Sequence, residues 1–309
     1  MTKNNVVKLA LCVGVCAILA SVVMLGACGG SEMTDDDVTA LFNAIRNTEE
    51  YEGSYTFTDT YTDKWTESYE DGDDIEDFAY VDTEGTSSGY DSSTKDYWYE
   101  YTYKSVDSED GTYSDADQAT YRVVDGESAT IYQKNKNRLR ESSSYQRYYT
   151  IDLEYDYTNT SLYSKLPYFI CRYVQPADSA ADPDDEETDT LDDFLSLVYA
   201  GTYLSYNADP DYYTCTVSGN KKITYTFSLN YKYSFNTNGI KETRIYKCTA
   251  VFTVVDNMLT GYKTSGTTSY SLGDRTKVEE SETYEREITI SYEYTDGMPK
   301  DFSDYESMD

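Results

Sequence analysis

Residues 96–106 read Asp-Tyr-Trp-Tyr-Glu-Tyr-Thr-Tyr-Lys-Ser-Val. Tyr97, Tyr99, Tyr101 and Tyr103 recur two apart, with Trp98, Glu100, Thr102 and Lys104 between them. Side chains alternate between the two faces of a strand, so this spacing predicts a strand with a tyrosine stripe on one side. The same pattern stands upstream in Tyr51-Glu-Gly-Ser-Tyr-Thr-Phe-Thr-Asp-Thr-Tyr-Thr. There Tyr55, Phe57 and Tyr61 share one face, and Thr56, Thr58, Thr60 and Thr62 share the other.

Working outward, residues 70–77 read as an acidic turn. Residues 121–132 read as a hairpin turning at Asp125-Gly126, and further strands are expected at 147–157 and 162–174. The second half repeats the theme, with strands expected at about 211–218, 222–235, 241–255, 259–272 and 277–295. Asp256-Asn257 is placed to turn between two of them.

Two amphipathic helices interrupt the strands. Val38, Leu41, Phe42 and Ile45 fall at i, i+3, i+4 and i+7. Thr34 is placed as N-cap, and Asp35, Asp36 and Asp37 sit where the helix dipole favours negative charge. This predicts a helix over about 35–48. Leu191, Phe194, Leu195 and Val198 repeat the stripe, with Thr190 as cap and Gly201 at the end. Each helix runs into a Tyr-x-Gly-Ser/Thr-Tyr segment, at 51–55 and 199–203, a short echo between the halves.

The expected fold is therefore α+β and mostly β: a curved antiparallel sheet with two packed amphipathic helices. One domain spans 34–295, its halves 34–175 and 188–295 joined by the acidic loop 176–187. Residues 296–309 form an acidic tail expected to fray.

The first 30 residues belong to a different kind of segment. Lys3 and Lys8 precede an uncharged apolar run from Leu9 to Leu25, the layout of a secretory signal. The run closes with Leu25-Gly26-Ala27-Cys28. An aliphatic residue, two small residues and a Cys resemble a bacterial lipobox. That resemblance implies a diacylglyceryl group on the Cys28 thiol, with residues 1–27 removed as signal peptide. Two acyl chains anchor a protein stably where one does not. Residues 28–33, with Gly29, Gly30 and Ser31, would be the lipidated Cys and a flexible tether. The expected location is the extracytoplasmic face of a cell membrane.

Composition narrows the function. The chain has 25 basic and 57 acidic side chains, net −32. Loss of Lys3 and Lys8 with the leader moves this to −34. Such charge opposes nucleic acid and anionic lipid headgroups and suits a basic protein or cations. Histidine is absent, which removes His-based triads and His metal sites. No Cys-x-x-Cys pair and no nucleotide-binding glycine loop occurs, so the reading is non-catalytic and without cofactor. Asp71, Asp73, Asp74, Glu76 and Asp77 are hard oxygen ligands within seven residues, and their number makes weak calcium binding an expectation beside a basic protein partner. Counted from Asp71 as an EF-hand, position 5 is Ile75 and position 6 is Glu76, so that spacing fails. Among the cysteines, Cys215 and Cys248 are either a disulfide or two buried thiols.

The layout of lipobox, helix, meander, helix, meander resembles the LolA/LppX-like envelope lipoproteins. The residues carrying it are Leu25–Cys28, the helix Val38–Ile45 leading into Tyr55-Thr-Phe-Thr, and the closing strand Ile288-Thr-Ile-Ser-Tyr-Glu-Tyr. The resemblance implies a half-open, barrel-like sheet whose concave face, lidded by helices, holds acyl chains. This chain departs from that family in lining the face with Tyr and in its acidic insert. Tyrosine numbers 36 here, against 9 Phe and 2 Trp. Tyr stripes serve either sheet packing or ligand contact. Tyr55, Phe57, Tyr97, Tyr99 and Tyr101 are the ligand-facing candidates for a lipid or other amphipathic molecule. The alternative is an adhesion or envelope-scaffold protein acting through its acidic, Tyr-rich exterior.

Overall fold

A computed structural model describes residues 31–71, 74–107, 111–137, 144–167, 213–237, 240–273 and 277–308. In chain order the elements begin with β1 (Ser31–Glu32) and α1 (Asp35–Glu49). The first half then gives β2 (Tyr55–Asp71), β3 (Asp74–Tyr90), β4 (Tyr97–Asp107), β5 (Gly111–Asp125), β6 (Ser128–Asn137) and β7 (Tyr145–Asp152). Two 3-10 turns follow at Leu153–Tyr155 and Tyr163–Lys165. The second half gives β8 (Tyr213–Ser218), β9 (Lys222–Thr237), β10 (Ile240–Val255), β11 (Met258–Gly273) and β12 (Lys277–Ser291), and the tail gives β13 (Glu306–Ser307).

All thirteen strands form one open, curved sheet in the order β1-β8-β9-β10-β11-β12-β2-β3-β4-β5-β6-β7-β13. Each half is an up-and-down meander. The halves join where the last long strand, β12, pairs antiparallel with the first, β2, from Lys277↔Glu70 to Ser291↔Thr56. The expected all-antiparallel sheet needs one correction, since the two-residue β13 lies parallel to β7.

Local chemistry explains most boundaries. Thr34 caps α1 through a full capping box: its hydroxyl accepts from the Asp37 amide, and the Asp37 carboxylate accepts from the Thr34 amide at 2.9 Å. Asp256 and Asn257 turn β10 into β11 with φ of 50° and 59°. Both central residues of this two-residue hairpin need positive φ, which Asn and Asp tolerate better than other side chains. The first-half hairpin turns one residue later than expected, at Gly126 (φ 62°) and Glu127, because Asp125 still pairs with Ser128.

Other expectations need correction. The strands β2 and β3 run through most of the supposed acidic turn at 70–77, with Asp71 paired to Asp74. The sequence reading missed β3 and the first half of β5. Stretches such as Asp82-Thr-Glu-Gly-Thr-Ser-Ser-Gly-Tyr90 have poor strand propensity and form strands because both neighbours supply backbone partners. The expected strand at 147–157 ends at Asp152, and 162–167 is a 3-10 turn and coil rather than strand. The second helix, Cys171 and the acidic loop 176–187 lie outside the described residues, as do Cys28 and the leader. Ser31 and Glu32 are not tether: they pair with Val217 and Thr216, and Met33 is buried behind them. Among the described residues no helix is long and apolar enough to cross a membrane.

The tail is not frayed. Residues 294–305 lie across one face of β4–β6, where Met298, Phe302, Tyr294 and Tyr305 pack on Trp98, Ala119, Tyr121 and Tyr132. Phe302 stacks on Tyr132 with ring centroids 3.9 Å apart, and the Trp98 indole donates to the Thr295 carbonyl at 3.0 Å. Gly89 and Gly297 make room for the indole, because a Cβ on either would run into it.

The main core lies on the opposite face. Val38, Leu41, Phe42, Ala44 and Ile45 of α1 meet Tyr225, Phe227, Ala250, Phe252, Val254, Leu259, Tyr262, Ile288 and Ile290 from the sheet. Thr48, fully buried, locks the helix end to the β10–β11 turn. Its hydroxyl donates to the Ala44 carbonyl (2.8 Å) and accepts from the Leu259 amide (2.9 Å). A 15-residue helix is about 22 Å long, whereas strands of 15–17 residues reach about 50 Å. Among the described residues the helix therefore covers one end of this face.

Candidate functional site: the tyrosine face

Register fixes which residues share the helix-side face, since directly paired residues point the same way. Reading across β12, β2, β3 and β4, the first row is Ile290, Phe57, Ser88 and Tyr99; the next is Ile288, Asp59, Thr86 and Tyr101. Then come Arg286, Tyr61, Glu84 and Tyr103, followed by Tyr284, Asp63, Asp82 and Ser105. The last of these rows is Glu282, Trp65, Tyr80 and Asp107. The face thus changes along the strands from aliphatic and aromatic to carboxylate and aromatic.

The five ligand-facing candidates divide at this boundary. Tyr55, Phe57 and Tyr97 are 1%, 0% and 3% exposed and belong to the core or its cover. As open ligand contacts they are corrected. Phe57 packs in the cluster with α1, and Tyr55 lies under the segment 157–167, its hydroxyl donating to the Thr160 carbonyl at 2.8 Å. Leu162 and Leu166 of that segment enter the core. An Arg122–Asp156 ion pair at 2.5 Å holds its start against β5. Tyr99 and Tyr101 remain half-buried. The Lys165 ammonium sits 5.1 Å from the Tyr97 ring centre and 5.3 Å from that of Tyr99. Burial pulls this ammonium down to about 8.

Beyond the helix, the side chains are polar and only partly covered. Arg286 is held by Asp59, with Nη2–Oδ2 2.5 Å and Nε–Oδ1 2.9 Å. The Tyr103 hydroxyl donates to Asp82 at 3.1 Å. Asp63 faces Asp82 across β2–β3. Burial, and after it the negative charge of Glu282 and of Asp82, raise the Asp63 carboxyl to about 6. Three oxygens on the Asp63 row are buried without a hydrogen-bond partner: Tyr284 Oη, Asp63 Oδ1 and Ser105 Oγ. Thr264, on the neighbouring row, adds a fourth. Thr264 and the Cys248 thiol lie beside the Tyr284 hydroxyl without hydrogen-bond geometry, and burial raises the Tyr284 phenol. Gly266 accommodates that ring, since a Cβ there would meet it at 2.5 Å. Buried polar groups in folded proteins are nearly all satisfied. Ser88 Oγ, on the row under the helix, is also without a partner; the Asp63 row differs in that half-buried rings and carboxylates stand beside it.

Asp63, Trp65, Tyr80, Asp82 and Tyr284 were not among the sequence candidates. The signal was present. Carrying the period of two from Tyr55 past Tyr61 reaches Asp63 and Trp65, so carboxylates share the aromatic stripe. Among the described residues no group of three Asp, Glu, Cys or His side chains is arranged to hold a metal ion. Cys215 and Cys248 are buried free thiols, each pushed up to about 12, chiefly by burial. They stand on β8 and β10 with β9 between. Two strand spacings are about 9.5 Å, beyond disulfide reach. A separate recess of about 800 Å³ lies along the β6–β7 edge, lined by Lys134, Lys136, Arg147, Asp117, Glu306 and Met308. It contains none of the sequence candidates.

No protein-family model and no curated protein matches this chain. Among solved structures, a DUF1329 family protein from Desulfovibrio piger is similar at 10% identity. That likeness covers 85% of this chain and 95% of the other, with a TM-score of 0.16. A β-barrel-like protein of domain DUF1849 from Brucella abortus is similar at 9% identity over 77% and 98%, with a TM-score of 0.15. At these TM-scores neither likeness assigns a family or a function.

Proposed function

We propose that this chain is an exported protein, lipid-anchored through Cys28 at the extracytoplasmic face of a cell membrane, that binds an amphipathic ligand without catalysing its conversion. The leader and the Leu25–Cys28 motif support the anchor. With Ser31 and Glu32 paired to β8, only Gly29 and Gly30 remain between lipid and fold, which holds the sheet close to the membrane. The observation that carries the binding reading is the row of buried, unpartnered oxygens on Tyr284, Asp63 and Ser105, set among half-buried aromatic rings. Small-molecule sites combine such apolar surface with a few convergent polar groups.

Two measurements test this. Replacing Cys28 with Ala should release the protein from membranes or block its processing; unchanged processing and membrane retention would overturn the anchor. Native mass spectrometry of the full chain, released in a mild nonionic detergent, should show a retained small molecule in stoichiometric amount. A Trp65→Ala/Tyr101→Ala variant should lose it. Equal retention, or none in either protein, would overturn the site.

A surface-adhesion reading has one observation in its favour. Tyr145, Tyr155, Tyr157 and Tyr163 are 39%, 54%, 89% and 38% exposed, all within one stretch of chain. Substituting all four with Ser should abolish attachment to a partner surface if adhesion is the function, and should leave small-molecule retention unchanged.

A further inference from the structure

The open rows of the tyrosine face have a charge that selects among ligands. From the row of Arg286 to that of Asp107 they carry Asp63, Asp82, Glu84, Asp107 and Glu282. Across β12, β2, β3 and β4 the one basic side chain on these rows is Arg286, already paired with Asp59. The rings between them are Tyr61, Trp65, Tyr80 and Tyr103. Carboxylates interleaved with electron-rich rings attract cations, by charge-assisted hydrogen bonds and through the ring faces.

Two cations of the chain itself already use this face in that way. The Lys165 ammonium lies over Tyr97 and Tyr99. The Arg244 guanidinium lies 5.2 Å from the Tyr270 ring centre while its Nε donates to Glu242 at 2.8 Å. Between these occupied ends, the unpartnered oxygens supply an independent observation. Tyr284 is 9% exposed and Ser105 fully buried, and neither their hydroxyls nor Asp63 Oδ1 makes a hydrogen bond of good geometry. Tyr103 lies beside Ser105, Thr264 beside Tyr284 and the Lys64 backbone beside Asp63, without satisfying those oxygens. An ionised carboxylate only accepts hydrogen bonds, and hydroxyl oxygens can accept as well. The missing complement is therefore a group rich in donors. A bare metal ion is the poorer complement, because the carboxylates are spread along the rows and do not converge as a metal shell.

We propose that the open end of the tyrosine face binds an organic cation, with an ammonium or guanidinium group between Asp63 and Asp82 and its carbon skeleton against Trp65 and Tyr80. This rests on the reading that the face holds a ligand, and names the ligand's charged end. The head of an amine-bearing amphiphile and a free polyamine share this chemistry.

The test uses the full chain in phosphatidylcholine nanodiscs, titrated calorimetrically against empty nanodiscs. The probes are octylammonium, octanol and spermidine. Octylammonium should saturate one site and octanol should bind at least tenfold more weakly. Asp63→Asn should weaken octylammonium at least tenfold and leave octanol unchanged, whereas Asp125→Asn in the exposed β5–β6 turn should change neither. Asp82→Asn gives a second reading of the same seat. Spermidine binding within tenfold of octylammonium supports the cation site with a free polyamine as its source. Spermidine binding far more weakly supports it with an amphiphile as source. Equal binding of octylammonium and octanol, or no effect of either Asp substitution, overturns the cation site while the amphiphile reading stands. No binding of any probe to folded protein overturns both.

Discussion

The two ends of the tyrosine face are built from the same strands in continuous register, yet they have opposite chemistry. At the helix end Phe57, Phe252, Ile288, Ile290 and Tyr262 are at most 3% exposed and packed under α1. At the other end Tyr61, Trp65, Tyr80, Asp63 and Asp82 are half-buried. The difference follows from length. A helix less than half as long as the strands can complete the core over only part of the sheet. Among the described residues, one end is packed under α1 and the other is only half-buried.

The largest expected effect breaks the comparison if it fails. Phe252→Ala removes a fully buried ring beneath the helix and should destabilise the protein by about 3–5 kcal/mol, measured by denaturant unfolding. Trp65→Ala at the open end should cost about 1 kcal/mol, because its ring is already partly in water. Equal losses would show that both ends are core.

A smaller effect concerns the opposite face of the sheet. Phe302→Ala, which strips the stacked ring from Tyr132, should cost about 1–3 kcal/mol and loosen the tail over Trp98. Acrylamide quenching of Trp98 fluorescence should rise, and that of Trp65 should not. A parallel rise at Trp65 would mean that the tail supports the open end too.

The smallest effect sharpens the electrostatic side of the comparison. The Asp63 carboxyl lies near 3.8 in an unfolded chain and at about 6 in the fold. The folded state therefore binds the extra proton between these values. Stability contributed by protonated Asp63 is present below pH 4 and is lost as pH rises through 6. The side chain is partly solvated, so the loss is about 1 kcal/mol after screening. Asp63→Asn should remove that slope and stabilise the protein at pH 7 by a similar amount. A steeper slope in the variant would place the strain on Asp82 instead.

Much of the fold was legible in the residues because the signals are local. The α1 stripe and the Thr34 capping box specify their helix within a few residues, and Asp256-Asn257 specifies its turn. The alternation of Tyr55, Phe57 and Tyr61 with threonines specifies a strand and its two faces. The site was legible only as a stripe. The pattern of two gives every ring on a stripe the same standing, so Tyr97 and Tyr101 look alike in sequence. One is 3% exposed beneath a covering segment and the other is half-buried beyond it.

What the sequence determined by itself is the set of choices made between near neighbours: helix start, hairpin turns, strand alternation and the acidic, His-free chemistry that excludes whole classes of reaction. Only the tertiary structure decided which end of the stripe is covered, that β12 closes onto β2, and that the acidic tail lies down on Trp98. Those outcomes join residues about 200 positions apart, as in the 2.9 Å bond from the Leu259 amide to Thr48 and the Arg286–Asp59 ion pair. Their energy comes from burial and pairing that exist only after the chain has folded back on itself, and no local pattern encodes that.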